Sequence, residues 1–184
     1  MKKLIFGTLV GVAAVAAFAV ANNNSGLNPG ENVTPFHPTH VAGPLANTTN
    51  CFPCTFQNRP QVQVWINGDE HENIHAIAKT LNDAMGANKE FKALLVFVTD
   101  KANGEKLGAK LREAAKTPGM DKIGVAYIDK NDEAVGAYKI NLSSDVKNTV
   151  FVYKNWKVEK KYVNLKADDK GLEDLNSSIT SIVK

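Results

Sequence analysis

Along the chain, apolar positions recur with two periods, and the switches between them divide the sequence into elements. Val62, Val64 and Ile66 alternate with Gln63 and Trp65, the period-two pattern of a strand, and Asn67-Gly68 ends it as a turn. Ile74, Ile77, Ala78, Leu81 and Met85 then fall at helical spacing, with Asp69 placed to cap that helix and Glu72 three residues further on. The alternation repeats: residues 93–98 form a near-continuous apolar run suited to a buried strand, and Leu107, Leu111 and Ala115 mark a helix face that Thr117-Pro118-Gly119 stops. Residues 123–128 read as a third strand, and Ala134, Val135 and Tyr138 as a short third helix.

The last part changes character. Residues 149–153 and 157–163 are strands joined only by Lys154-Asn155-Trp156, too short for a parallel crossover, so they are expected to pair as an antiparallel hairpin. Leu172, Leu175, Ile179 and Ile182 form a closing helix, with Asp168 or Asp169 as its cap. The order βαβαβα followed by ββα predicts one α/β three-layer sandwich over 61–184.

Ahead of it lie two segments of different composition. Lys2 and Lys3, the uncharged apolar stretch 4–20 and the small residues Ala19-Val20-Ala21 form the pattern of a cleaved secretory signal, so residues 1–21 are expected to be a signal peptide. That places the protein in the periplasm or outside the cell. Residues 22–60 are rich in Asn, Pro, Gly and Thr without a sustained apolar period and read as an irregular extension.

Charge narrows the partners. The formal net charge of +3 falls to +1 once the two leader lysines are removed, so neither nucleic acid nor, after signal cleavage, a membrane is an expected partner. The sequence also lacks a Gly-rich phosphate loop and a G-x-S-x-G elbow, which leaves little room for nucleotide-binding or hydrolase chemistry. Trp156 in the hairpin loop is either a partner contact or a side chain folded back on the sheet.

The chemistry-bearing residues gather in the extension. Cys51 and Cys54 are the two cysteines of the chain and form one C-x-x-C pair, which in an oxidising compartment is a static disulfide, a redox-cycling pair or a metal site. With His37 and His40 they make an H-x2-H-x10-C-x2-C set, two imidazoles and two thiolates, suited to copper or zinc. His71 and His75, four apart near the start of the first helix, share a face; that spacing suits two solvated side chains as well as a metal.

The element order, with Cys51-Phe52-Pro53-Cys54, resembles the thioredoxin-like superfamily over about 61–184. The resemblance implies thiol–disulfide exchange with protein thiols or disulfides of the cell envelope, with Cys51 attacking, Cys54 resolving, and no cofactor required. Two departures accompany it. In that family the C-x-x-C follows the first long strand and opens the next helix, where residues 67–73 here hold no cysteine. The family's proline at the start of the hairpin is also missing from Val146-Lys147-Asn148-Thr149-Val150. Two alternatives therefore stand beside exchange: a copper- or zinc-binding module on His37, His40, Cys51 and Cys54, and a thioredoxin-fold binding domain without chemistry.

Overall fold

The computed structural model describes residues 24–184; the expected signal peptide over 1–21 lies outside them. Among the described residues, no helix is long and apolar enough to cross a membrane.

Six strands form one mixed sheet: β1 (Thr39–Ala42), β2 (Gln61–Ile66), β3 (Lys92–Thr99), β4 (Gly124–Asp129), β5 (Asn148–Lys154) and β6 (Lys157–Val163), in the spatial order β1-β4-β3-β2-β5-β6. Strands β2, β3 and β4 are parallel, in the registers Val64↔Leu95 and Leu95↔Val125. Strand β5 runs antiparallel to β2, β6 antiparallel to β5, and β1 antiparallel to β4 at the far edge. Five α-helices accompany them among the described residues: α1 (Phe52–Phe56), α2 (His71–Ala87), α3 (Gly104–Ala114), α4 (Glu133–Ala137) and α5 (Asp169–Val183).

Two apolar clusters, one on each face of the sheet, hold the layers together. On one face Val62, Val64 and Ile66 of β2 meet Ile77, Leu81 and Met85 of α2, Leu111 of α3, and Leu175, Ile179 and Ile182 of α5. These are the periodic positions read from the sequence. The other face carries Trp65, Leu94, Val96, Phe151 and Tyr153, covered by α1, α4 and the chain before β1.

That covering is what the composition of 22–60 did not disclose. Leu27, Val33 and Phe36 are fully inserted, although no period links them. Phe36 lies 5.2 Å from both Trp65 and Tyr138 by ring centroids. Backbone bonds from Val33 to Trp156 and between Gly30 and Val158 tie the segment to the β5–β6 hairpin. Residues 24–60 therefore fold back on the sheet and add β1 and α1 to it. Gly43 turns the chain out of β1 at φ +80°, and a Cβ there would meet the Ile123 carbonyl at 2.4 Å, so glycine is required.

Three local readings are sharpened. Asp69 does not cap α2: Glu70 occupies that position, and the Asp69 Oδ2 atom instead accepts from the amides of Asn73 and Asn148. Asp168 caps α5 by accepting from the Gly171 N–H. Trp156 folds back against the second cluster, from a two-residue turn in which Asn155 and Trp156 both have positive φ.

Candidate functional site

Cys51 and Cys54 are joined as a disulfide, with Cα atoms 5.2 Å apart. Local sequence explains why they meet. Pro53 in the first turn presets the helical φ, and α1 is a single short helix whose N-cap is Cys51, so one turn brings the second sulfur over the first. The N–H of Cys54 donates to Cys51 Sγ at 3.1 Å, while the Cys51 carbonyl accepts from the N–H of Thr55 at 3.0 Å and its hydroxyl at 2.9 Å. Thr55 was not a candidate from the sequence; its position four residues after Cys51 in a helix was the available signal.

The helix is seated by its aromatic residues. Phe52 is fully buried and stacks edge-on against Phe56 at 4.7 Å. Gly124, at the start of β4, leaves the room this needs: a Cβ there would lie 3.4 Å from the Phe52 ring and 3.0 Å from Leu94. The disulfide thus sits at the amino ends of the parallel strands. The cleft that the family resemblance points to is at the other end of β2, a six-residue strand that itself spans roughly 17 Å at 3.3–3.4 Å per residue.

That far cleft holds no sulfur. Asn148 and Asn73 both donate to Asp69 and to the Leu165 carbonyl, and Asn148 accepts from the Leu165 N–H. These side-chain amides cross-tie β5, α2 and the segment after β6 where the family places its cysteines. No peptide bond among the described residues is cis.

The histidines take different roles from one another. His37 is exposed and its Nδ1 bonds the Thr49 carbonyl at 3.0 Å. His40 is buried, with Nε2 on the Asn50 carbonyl at 2.9 Å and its ring stacked on Phe52 at 6.4 Å. Its Nδ1 has no hydrogen-bond partner. Because a carbonyl only accepts, Nε2 carries the proton; burial holds the ring's pKa below the usual imidazole value, so it stays neutral near pH 7. His71 and His75 stack at 6.2 Å on α2, on the opposite face of the sheet from α1.

Copper or zinc on the four-residue set would require two thiolates. In the closed disulfide the sulfurs carry no such charge, so in this state the set offers only its two imidazoles. No group of three or more His, Cys, Asp or Glu residues that could hold a metal ion occurs among the described residues.

A closed C-x-x-C can take up two electrons, and Cys51 is prepared for the negative charge that results. The Cys54 N–H points at its sulfur, and such donation stabilises a thiolate. The exposures of the two residues differ: Cys51 is only 6% exposed, whereas Cys54 is partly exposed on the surface of α1.

Comparison with known proteins places the fold. No protein-family model matches the sequence, and no curated protein does. Solved structures do match. A protein described as a thiol:disulfide interchange protein DsbE from Chlorobium tepidum aligns with TM-score 0.62 and 16% identity, over 86% of this chain and 99% of that one. The thioredoxin domain of a thiol-disulfide oxidoreductase from Bacteroides vulgatus aligns with TM-score 0.56 and 11% identity, over 83% and 99%. A thiol peroxidase from Chromobacterium violaceum aligns with TM-score 0.58 and 11% identity, over 85% and 88%.

The chain therefore has a thioredoxin-like fold, a mixed α/β sheet flanked by helices. Within it the C-x-x-C pair lies at the amino end of the sheet and is closed as a disulfide.

Proposed function

We propose that this protein is an exported thiol–disulfide exchange protein whose Cys51–Cys54 pair trades electrons with thiols or disulfides of other proteins in the cell envelope. The observation that carries the reading is the closed disulfide on α1, with one cysteine partly exposed and the other accepting a backbone N–H that stabilises a thiolate. Neighbours of the same fold that are described as thiol:disulfide interchange proteins and oxidoreductases support it.

The pair is also built to open without unfolding its surroundings. It closes a loop of four residues, and by the chain-entropy relation so short a loop contributes only about 2 kcal/mol. Phe52, Phe56 and the Thr55–Cys51 bonds hold the helix independently of the sulfur link. The test is equilibration of the folded protein in glutathione redox buffers, with free thiols counted by alkylation. Reversible reduction at a defined potential, abolished by Cys51→Ser, is expected. A native disulfide that survives excess dithiothreitol would instead make the pair inert.

A further inference from the structure

We propose that Cys54 is the sulfur that bonds the partner in the mixed disulfide and that Cys51 is the internal thiol that resolves it. This rests on the exchange reading above and reverses the order that the family resemblance implies.

Access comes first. An incoming thiolate must approach the sulfur it attacks along the line of the S–S bond, from the side away from the leaving sulfur. Cys51 is 6% exposed and enclosed: His40 reaches the carbonyl just before it, Thr55 holds its own carbonyl, and the fully buried Phe52 follows it. Cys54 is partly exposed, and the next residue, Thr55, is exposed on the same surface.

The leaving group points the same way. Attack at Cys54 expels Cys51, and a leaving thiol of lower pKa departs faster. Cys51 Sγ is the sulfur that accepts the Cys54 N–H, so the charge lands on the stabilised atom. Attack at Cys51 would reverse both terms, entering at the more buried cysteine and expelling the sulfur for which no such donor is seen among the described residues.

The steps balance. A partner thiolate forms a bond to Cys54 Sγ, and the electron pair of the Cys51–Cys54 bond passes to Cys51. A second partner thiolate then attacks the partner sulfur of the mixed disulfide, expelling Cys54 as thiolate. The partner leaves as a disulfide, oxidised by two electrons; the pair is reduced, and the two thiolates take protons from solvent. In the opposite direction the Cys54 thiolate attacks a partner disulfide, and Cys51 displaces the partner by attacking Cys54.

The probe is glutathione. Reduced Cys51→Ser and Cys54→Ser variants are mixed with oxidised glutathione, and adduct formation is followed by mass spectrometry. The free Cys54 of the first variant should be modified at least tenfold faster than the free Cys51 of the second. Because a single serine could loosen α1, the wild-type disulfide is also opened with reduced glutathione, quenched in acid, and the adduct located by fragmentation. Glutathione on Cys54 is expected. Glutathione on Cys51, or equal rates in the two variants, would overturn the assignment while leaving exchange intact. A wild-type disulfide that glutathione does not open in the folded state, but does open in urea, would overturn exchange and this assignment together.

Discussion

Tyr153→Phe tests whether the second face of the sheet depends on its buried polar chain. The Tyr153 hydroxyl accepts from Gln63 Nε2 at 2.7 Å and donates to Gln61 Oε1 at 2.8 Å, while Gln63 Oε1 accepts from the Trp65 indole at 3.1 Å. All four side chains are buried, and Gln61 Nε2 continues the chain to the Gln57 carbonyl at the end of α1. Burial holds the Tyr153 phenol well above its usual pKa, so it stays neutral and keeps its proton to donate. Phenylalanine removes the hydroxyl with almost no change of shape, leaving one buried donor and one buried acceptor unpaired. At 1–3 kcal/mol for each orphaned group the loss should be about 2–6 kcal/mol. For a domain of this size that is a fall in Tm on the order of 10 °C. Urea unfolding of wild type and variant, compared by midpoint at equal slope, measures it directly. A loss below 0.5 kcal/mol would refute the reasoning, since it would mean that water or a side-chain shift satisfies both glutamines.

Three further outcomes follow from the same contacts. Replacing both cysteines by serine should cost about 2 kcal/mol, the entropy of a four-residue loop, and lower Tm by roughly 4–8 °C; calorimetry showing a fall beyond 15 °C would make the pair a structural staple. His40 is held neutral by burial, so below the ordinary imidazole pKa the unfolded chain binds a proton that the folded chain resists. Stability should accordingly be retained above about pH 6.5 and fall as pH drops below it, and His40→Gln should flatten the dependence measured by urea midpoints at pH 7.5 and 5; an unchanged slope would place the effect elsewhere. Asn82 is buried, accepts the N–H groups of Lys122 and Ile123 at 2.8 and 3.2 Å and donates to Asp121 at 3.1 Å. Asn82→Ala strands two backbone donors at the entry to β4 and should cost about 2–4 kcal/mol, with hydrogen exchange at Ile123 rising accordingly.

The helical and strand periods determined one half of this molecule. Val62, Val64 and Ile66 on one side of β2, with Ile77 and Leu81 on α2 and Leu175 and Ile179 on α5, announce the cluster they form, because each element must bury a single stripe and the stripe recurs at its own period. The short hairpin connection and the Asp168 cap were local in the same sense. The sequence alone also set the cysteine pair ahead of β2 and left residues 67–73 without one.

What only tertiary structure decided lies on the other face. Gln61 and Gln63 are polar positions set between apolar ones, yet both are buried beside Trp65, because Leu27, Val33 and Phe36 arrive from a segment with no period and Tyr153 arrives from 90 residues away. No local pattern encodes a pairing at that separation. The roles of the histidines were decided there too: His40 is inserted beneath Cys51's neighbours and His37 is left at the surface, although a two-residue spacing makes them look equivalent. The unequal exposure of Cys51 and Cys54 has the same origin. Spacing brings the sulfurs together, but which of them meets solvent is set by how Phe52 seats the helix against Gly124 and Leu94, distant segments that the fold alone brings together.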